Sequence, residues 1–199
     1  MPSPRPPVVG LLLAAGRASR FRAATGRDKL TETIPLGQPY AGIPVIAAAA
    51  SALRAAVDEV IVVVDSDNAR AIGLAEALGC TAVRCKSGGI GESIALGVAA
   101  RPDASGWVVA PADMPFVKTA TIKAIIKAMS ADAIVAPVHA GQRGHPVGFG
   151  KRFGPALMKL SGDEGARSII AAIQPVLIET DDQGTLRDID HPDDWKAKG

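Results

Sequence analysis

The stretch PVVGLLLAAG, residues 7–16, decides the fold of this chain. It is a continuous apolar run that ends in small residues, which is the pattern of a β-strand buried on both faces. A second run of this kind, EVIVVVD at residues 59–65, is rich in β-branched residues and ends on an acid. Runs that are apolar throughout are typical of parallel strands covered by helices on both sides.

Strands and helices alternate along the rest of the chain. Apolar runs predict further strands at about residues 80–85, 106–110, 133–137, 146–149 and 175–178. Helices are predicted over about residues 44–56, 68–78, 91–100, 119–129, 153–160 and 164–172. The alternation predicts an α/β fold: a three-layer sandwich around a mostly parallel, Rossmann-like central sheet. Ligands of such sheets collect at the carboxyl ends of the strands.

Composition indicates one globular domain over residues 8–199. The chain has 199 residues, of which 48% are hydrophobic, enough to bury a core. Residues 1–7 are rich in proline and predict a flexible tail. The apolar run at residues 8–15 is too short to span a bilayer and lacks a small-residue cleavage site after it. We therefore expect a cytoplasmic protein that does not enter a membrane.

Charge and cysteine content exclude several classes of protein. The 22 basic and 20 acidic residues give a net charge of +2, which offers no reason to expect nucleic acid or a membrane surface as partner. Cys80 and Cys85 are expected to be ordinary thiols, and a disulfide between them is the weaker alternative. A zinc site would need ligands at tight spacing, but the three histidines are scattered: His139, His145 and His191.

The end of the first strand favours a phosphate site. Small residues at 14–16 leave backbone N–H groups open to close approach, and phosphate oxygens can be cradled there. Basic residues follow at once: Arg17, Arg20, Arg22, Arg27 and Lys29. The alternative is a tight turn with solvated arginines. The segment has neither the G-x-G-x-x-G spacing of dinucleotide sites nor the G-x-x-x-x-G-K-[ST] pattern of P-loops.

Acidic residues at two other places could hold a metal ion. Asp113 follows the strand at residues 106–110, where a carboxylate suits Mg²⁺ bound to phosphates; the alternative is an Asx-turn. Asp188 and Asp190 would share one face of an extended segment, so that one of them could meet Asp113 across a metal. The alternative for this segment is an acidic loop that caps a short helix beginning near Pro192.

Together these segments resemble the MobA-like nucleotidyltransferases, and within that superfamily the branch that includes molybdenum cofactor cytidylyltransferases (MocA-type). The resemblance extends from about residue 8 to residue 195. Six motifs in the family's order carry it: LAAGRASR at 13–20, GIGESI at 89–94, DMPFV at 113–117, RGHPV at 143–147, GDEGAR at 162–167 and DIDHPDDW at 188–195.

The resemblance implies a role for each matching residue. The loop formed by Leu13, Ala14, Ala15, Gly16 and Arg17 would hold the phosphates of a nucleoside triphosphate. Arg20 and Lys29 would neutralise charge as pyrophosphate leaves, and Ser93 would lie near the base or ribose. Asp113, a catalytic residue, and Asp190 would hold Mg²⁺. Three residues would lie on the acceptor side: Gly144, His145 and Pro146.

The implied reaction is Mg²⁺-dependent transfer of a nucleoside monophosphate from CTP or GTP to a phosphate acceptor, with molybdopterin or the molybdenum cofactor as the expected acceptor. CMP is favoured over GMP because Ala15 gives Ala-Ala-Gly, where the guanylyl branch often has Ala-Gly-Gly. One alternative is a nucleotidyltransferase acting on a sugar or alditol phosphate. Another is a non-catalytic molybdopterin- or nucleotide-binding maturation partner of a molybdoenzyme. The missing glycine fingerprint disfavours an NAD-binding dehydrogenase.

The chain departs from the family pattern at three places. Lys29 lies nine residues beyond Arg20, a longer gap than is usual. This spacing predicts an insertion at residues 21–28 and leaves open whether Lys29, Arg22 or Arg27 supplies the family's positive charge. His145 stands where the family has asparagine, and residues 85–88 replace a Pro-x-Trp element that is common in cytidylyltransferases.

Overall fold

A computed structural model describes residues 6–16, 18–86 and 89–195 of the chain. The strands of these described residues are β1 (Val8–Ala14), β2 (Glu59–Asp65), β3 (Thr81–Cys85), β4 (Gly106–Pro111), β5 (Ile134–His139), β6 (Gln142–Arg143), β7 (Val147–Gly150) and β8 (Val176–Glu179). The helices are α1 (Ser19–Thr25), α2 (Val45–Arg54), α3 (Ala69–Ala77), α4 (Ile90–Ala99), α5 (Thr119–Ala128), α6 (Gly154–Leu157) and α7 (Arg167–Ala172). Short 3₁₀ turns cover Lys29–Thr31, Lys151–Phe153, Gln183–Leu186 and Pro192–Trp195.

One sheet joins all of these strands, in the order β3-β2-β1-β4-β7-β5-β6, with β8 paired to β5. The first four strands of this order are parallel. Strand β7 lies antiparallel between β4 and β5, while β8 runs parallel to β5. The prediction of an α/β fold with a mostly parallel central sheet is therefore confirmed, and the site expected at the carboxyl ends of the strands can be sought along one edge.

Helices cover both faces of the sheet. Successive residues of β1 belong to different core clusters: Leu12 packs with α2, α3 and α5, whereas Leu11 packs with α4, α6 and α7. The alanines of α2 keep that helix close to the sheet. Gly97 of α4 serves the same end, since a methyl group there would lie 3.2 Å from a Leu11 methyl. Small residues on these helices therefore allow close packing against the sheet.

The structure differs from the predicted elements in the flanks of the sheet. Residues 21–28, predicted as an insertion, lie mostly in helix α1, which Gly26 ends with a φ of 72°. The two predicted helices after β7 are shorter than expected: α6 ends at Leu157 and α7 begins at Arg167. Gly162 and Gly165, both with positive φ, make the intervening segment a loop.

Both chain ends extend beyond the described residues. Residues 1–5 of the predicted tail lie outside them, while the carbonyl of Pro7 accepts hydrogen bonds from the backbone and hydroxyl of Ser105. None of the helices in the described part of the chain combines the length and the apolar composition needed to cross a membrane.

Candidate active site

The turn between β1 and α1 forms one wall of a cavity of about 300 Å³. Ala14 and Ala15 are buried at the end of the strand, but Gly16 is exposed, and a methyl group placed on it would meet nothing within 4 Å. Ala18 adopts a left-handed φ of 45° before the helix begins. The turn therefore presents bare backbone to the cavity. Arg17 lies outside the described residues. The cavity is lined by Leu13, Gly16, Ala18, Ser19, Arg20, Lys29, Leu30, Asp113 and Asp190.

Lys29 reaches this cavity because of the 3₁₀ turn on which it lies. Asp28 caps that turn: one of its carboxylate oxygens accepts a hydrogen bond of 3.0 Å from the backbone N–H of Leu30. The side-chain amide of Asn68, the residue before α3, donates to the other oxygen of Asp28. The lysine is thus anchored to the end of a neighbouring βα unit, and the long gap after Arg20 is spanned by α1.

Three distant segments bring their charges together at Lys29. Its Nζ atom lies 2.7 Å from Asp113 Oδ2 and 2.7 Å from Asp190 Oδ1. Arg20 Nη1 lies 3.1 Å from the other oxygen of Asp190. The Lys29 side chain is 7% exposed, against 24% for Asp113 and 42% for Asp190. The structure therefore brings together all four of the residues predicted to bind metal or neutralise the leaving group.

Lys29 and Asp190 carry opposite charges at neutral pH. Burial lowers the pKa of Lys29, but attraction and hydrogen bonds from Asp113 and Asp190 outweigh it, so that the pKa is raised above its ordinary value. The hydrogen bond from Lys29 lowers the pKa of Asp190 against the opposing effect of burial. An ammonium group and a carboxylate are the forms that can bind phosphate and a cation, respectively.

Hydrogen bonds hold the backbones of both aspartates, Asp113 and Asp190, in place. Asp113 follows β4, and its carbonyl accepts a hydrogen bond of 2.9 Å from the backbone N–H of Ile189. Next to Asp190, the Asp194 carboxylate accepts from the backbone N–H groups of Asp190 and His191, at 2.9 and 2.6 Å. Asp188, which was considered as an alternative to Asp190, is exposed. Of Asp188 and Asp190, it is Asp190 that accepts a hydrogen bond from Lys29, as Asp113 also does.

These two carboxylates fit a magnesium site of a particular kind. The described residues contain no group of three or more histidine, cysteine, aspartate or glutamate side chains placed to hold a metal. Magnesium is commonly bound through one or two carboxylates together with substrate phosphates, rather than in a cage of protein ligands. One oxygen each of Asp113 and Asp190 already faces the same cationic group at 2.7 Å. The donor set therefore suits Mg²⁺ that arrives with a triphosphate.

A second cavity, of about 290 Å³, opens next to the first and shares Leu13 with it. Its walls are mainly apolar, but they also carry two arginines, Arg143 and Arg167, and two acidic residues, Asp163 and Glu164. Gly144 and His145 of the predicted acceptor side line it as well. Its apolar residues are Leu13, Ile90, Ile94, Val109, Pro111, Val147, Phe149, Ala166 and Ile170. The arginines can bind an anionic group of a molecule with an apolar body, while Asp163 and Glu164 can accept hydrogen bonds from its N–H or O–H groups.

The predicted acceptor residues differ in how they contribute. A methyl group on Gly144 would collide with the carbonyl of Thr185, which also accepts a 2.9 Å hydrogen bond from the His145 backbone. Burial lowers the pKa of His145 despite the opposing attraction of Asp113, so its ring is neutral at pH 7. Pro146 does not line this cavity and borders a much smaller one between α2 and β4.

Ser93 is placed differently from the other predicted site residues. Its side chain is buried, and its hydroxyl donates to the carbonyl of Gly89 at 3.0 Å. Among the described residues that line the two cavities, Ser93 does not occur. Residues 87 and 88, just before α4, lie outside the described residues. A contact between Ser93 and the base or ribose therefore stays a prediction.

Residues 10–176 match the sequence profile of the MobA-like NTP transferase domain. The chain belongs to this family. The match covers the loop after β1, Lys29 and Asp113, whereas Asp190 lies beyond it. The resemblance to the MobA-like family is thereby confirmed over residues 10–176, which contain five of the six motifs.

Relatives of this MobA-like chain match nearly its whole length. The purine catabolism protein PucB of Bacillus subtilis is 27% identical over 205 residues, covering 96% of this chain and 95% of the relative. The crystal structure of Rv0371c from Mycobacterium tuberculosis is 28% identical, with a TM-score of 0.79 and coverage of 94% and 95%. Rv0371c has also been solved in complex with manganese. A nucleotidyl transferase from Methanothermobacter is 26% identical, with a TM-score of 0.74 and coverage of 95% and 94%.

Sequence reasoning missed several residues that shape the site of this MobA-like protein. Asn68 could have been found, because it lies three residues after the end of β2, at the predicted ligand edge of the sheet. Arg143 and Arg167 stood in recognised motifs, yet only the fold shows that they line one cavity. Arg187 gave no signal, since it is one arginine in a polar segment whose partners are set by tertiary structure.

Proposed function

We propose that this MobA-like protein is a Mg²⁺-dependent nucleotidyltransferase that transfers a nucleoside monophosphate from a nucleoside triphosphate to a phosphate acceptor. The observation that carries the proposal is the convergence of Asp113 and Asp190 on one cationic position, 2.7 Å from each. It occurs where bare backbone and two cationic side chains, Lys29 and Arg20, face the same cavity. The manganese complex of Rv0371c supports a divalent ion in this fold.

The reaction requires charge stabilisation more than acid–base chemistry. An oxygen of the acceptor phosphate attacks the α-phosphorus in line, and a new P–O bond forms while the bond to the bridging oxygen breaks. The electron pair leaves with pyrophosphate, whose charge Lys29 and Arg20 neutralise. Asp113 and Asp190 would hold the metal ion, which supplies Lewis-acid neutralisation of phosphate oxygens when bound.

The acceptor needs no strong general base. A phosphate is already anionic near neutral pH, so its oxygen is nucleophilic without losing a proton. His145 is neutral because burial lowers its pKa, and it therefore adds no charge that would hold the acceptor too tightly. The backbone of residues 13–16 would hold the triphosphate, and the second cavity would hold the acceptor beside it.

CTP is the favoured donor and GTP the second candidate. The preference comes from Ala15, whose side chain is buried at the end of β1. A methyl group at this place changes how closely a base can approach the strand end, compared with the glycine that is frequent in the guanylyl branch. Ser93 would lie on the side of the base or ribose.

The acceptor proposed is molybdopterin or the molybdenum cofactor. The second cavity supports this choice, because apolar residues such as Ile94, Val109 and Phe149 suit a flat ring system while Arg143 and Arg167 suit its phosphate. A sugar or alditol phosphate is the alternative acceptor: Asp163 and Glu164 could accept hydrogen bonds from its hydroxyl groups, but the apolar part of the walls suits a ring system better. A molybdoenzyme would then be the partner that receives the product.

A non-catalytic role in molybdoenzyme maturation is the remaining alternative. A protein that only binds molybdopterin or a nucleotide has no need for two carboxylates held by Lys29 beside a phosphate-sized cavity. PucB is a purine catabolism protein, a name that specifies neither a nucleotide nor an acceptor. The presence of both Asp113 and Asp190 therefore favours the enzyme.

A thermal-shift panel tests the proposal. The protein is mixed with CTP, GTP, ATP or UTP, each with and without Mg²⁺, and the midpoint of unfolding is measured. We expect the largest increase with CTP and Mg²⁺, because ligand binding stabilises the folded state by mass action. The Asp113→Asn variant should lose the Mg²⁺-dependent part. An equal shift with and without Mg²⁺, or no shift with any triphosphate, would contradict the proposal.

A further inference from the structure

Arg187 makes an unusual set of contacts for a residue outside the cavities. Its guanidinium carbon lies 4.1 Å from the centre of the Phe116 ring. Its Nη2 atom donates to the side-chain carbonyl of Gln38 at 2.9 Å, and to the backbone carbonyls of Asp194 and Trp195, each at 3.2 Å. A planar guanidinium can satisfy a ring face and several acceptors at once, which a lysine ammonium cannot.

These contacts close the loop that carries Asp190. Arg187 precedes Asp190 by three residues, and the two carbonyls it binds belong to residues that follow Asp190. The side chain therefore holds the two ends of residues 187–195 together. Inside this closed loop, the carboxylate of Asp194 fixes the backbone N–H of Asp190 at 2.9 Å. Asp194 therefore links the two residues: its carbonyl accepts from Arg187, and its carboxylate accepts from the backbone N–H of Asp190.

The stacking on Phe116 links the same loop to the other carboxylate. Phe116 is 8% exposed and lies three residues after Asp113. The backbone N–H of Ile189, which is fully buried, also donates to the carbonyl of Asp113 at 2.9 Å. The segments that carry Asp113 and Asp190 are therefore joined twice, once through the backbone and once through Arg187.

We propose that Arg187 is a positioning residue that sets the separation of Asp113 and Asp190 for a divalent cation, acting through Asp194 and Phe116. The proposal rests on the proposed function, in which both carboxylates hold the metal. Arg187 touches neither carboxylate oxygen that faces Lys29, so its effect on the metal is indirect. Residues that orient metal ligands in this way typically contribute about 10- to 100-fold to metal affinity.

Mn²⁺ affinity is the measurement that separates this role from a purely structural one. Free Mn²⁺ is followed by its EPR signal as the full-length protein is titrated in the presence of CTP. The variants are Arg187→Met, Arg187→Lys and Asp190→Asn. Arg152→Met is the matched control, because the Arg152 side chain forms a surface ion pair with Asp132 that is 3.5 Å long and exposed on both sides. Urea unfolding of each variant is measured in parallel.

We expect Arg187→Met to weaken Mn²⁺ binding about tenfold, Arg187→Lys less than this, and Arg152→Met not at all. Asp190→Asn should weaken it more than any of them. Where Arg187→Met fails to fold, Phe116→Leu replaces it, since leucine keeps the apolar contact and removes the ring face. This variant should weaken Mn²⁺ binding with an unchanged CTP affinity in the absence of metal.

The possible outcomes are distinct. Wild-type Mn²⁺ affinity in folded Arg187→Met, with weakened binding in Asp190→Asn, would overturn the positioning role and leave the proposed function standing. Equal affinity in the wild type and Asp190→Asn would overturn the metal site and the role of Arg187 with it. Loss of stability in Arg187→Met without loss of Mn²⁺ affinity would show that the residue is structural only.

Discussion

The two cavities at the carboxyl edge of the sheet have nearly the same volume, about 300 and about 290 Å³, and share Leu13, yet their chemistry is opposite. The first is lined by bare backbone and by a lysine held between two carboxylates. The second has apolar walls that also carry two arginines, two acidic residues and a neutral histidine. Size alone therefore says little about a site. The charge that each wall presents indicates that the first cavity would manage a triphosphate and its metal, while the second would select the acceptor by shape.

The two cavities also differ in how their walls are built. Asp113, Lys29 and Asp190 come from segments separated by 84 and 161 residues, and side-chain bonds hold them together. The second cavity rests largely on regular elements, including α4, β4, β7 and α7. In the first cavity, a single substitution removes a charge that holds the other charged side chains in place, so it should lower turnover. In the second cavity, a single substitution should change the affinity for the acceptor more than the rate of the chemical step. The variants below test this contrast.

Asp113→Asn should have the largest effect. It removes a carboxylate proposed to bind Mg²⁺ while keeping the size of the side chain, so pyrophosphate release should fall by about 10³-fold or more. The measurement is a coupled pyrophosphate assay with CTP and an acceptor, with circular dichroism as the check on folding. Asp132→Asn, at an exposed position, is the control and should match the wild type. Full turnover by Asp113→Asn would remove Asp113 from the mechanism.

Lys29→Met should come next, with a loss of about 10²-fold in turnover, because one preorganised charge at the leaving group is removed. Arg27→Met is the matched control: Arg27 is a nearby basic residue, and it forms an ion pair with Glu32 at the surface rather than with Asp113 or Asp190. If Arg27→Met lost more activity than Lys29→Met, the assignment of the family's lysine to Lys29 would be wrong.

The same Lys29→Met protein should show a pH-dependent loss of stability. The pKa of Asp190 is lower in the folded than in the unfolded chain, where it is about 4, so its ionised form stabilises the fold above about pH 4. The pKa of Lys29 is higher in the folded than in the unfolded chain, where it is about 10.4, so its ammonium form stabilises the fold below about pH 10.4. Between these limits the variant should be less stable by about 1–2 kcal/mol, a figure reduced because both carboxylates are partly exposed. The difference should shrink as pH falls below about 4, as urea unfolding would show. A difference that is constant with pH would contradict the charge cluster.

Arg167→Met should have a smaller and more selective effect. Loss of a charge-assisted hydrogen bond at the acceptor phosphate should raise the KM for the acceptor by about tenfold. The KM for CTP should stay unchanged, since Arg167 lines only the second cavity. Steady-state kinetics with each substrate varied in turn, beside the Arg152→Met control, measures this split. A higher KM for CTP with an unchanged KM for the acceptor would reverse the assignment of the two cavities.

Gly16→Ala should have the smallest effect, about threefold on CTP affinity. The added methyl group meets nothing within 4 Å, and substituting alanine for glycine reduces the entropy of the unfolded chain, so the fold should keep its stability. Any loss of CTP binding, measured by calorimetry, would then come from a phosphate that approaches the backbone here. Unchanged CTP affinity would place the triphosphate elsewhere.

Much of the fold followed from local pattern. The run at residues 59–65 coincides with β2, and the run at 8–14 with β1, because strands buried on both faces leave an unbroken apolar signal. The flanks were harder to predict. Helix α1 was not predicted, although a glycine at position 26 is a common signal for a helix end. The insertion expected at residues 21–28 stays a prediction. Helix α7 was predicted too long because the positive φ of Gly165 depends on its close contact with α4.

Part of the site could also be predicted from the sequence, because the positions of the strand ends follow from the predicted strands. Asp113 and the loop after β1 lie at strand ends, where the topology directs attention. Asp190 and Lys29 were chosen through motif resemblance, since no local pattern shows that residues 161 positions apart share a hydrogen bond. The tie through Arg187 could not be predicted from the sequence, because it depends on a ring stack and carbonyl contacts that exist only after the chain is folded.

The most direct test of the central claim is a crystal structure with CTP and Mn²⁺, in which the anomalous signal locates the metal. We expect one anomalous peak bound by a carboxylate oxygen of Asp113 and one of Asp190, together with phosphate oxygens of the nucleotide. A metal bound only by phosphates, or a nucleotide seated in the second cavity away from both aspartates, would contradict the account.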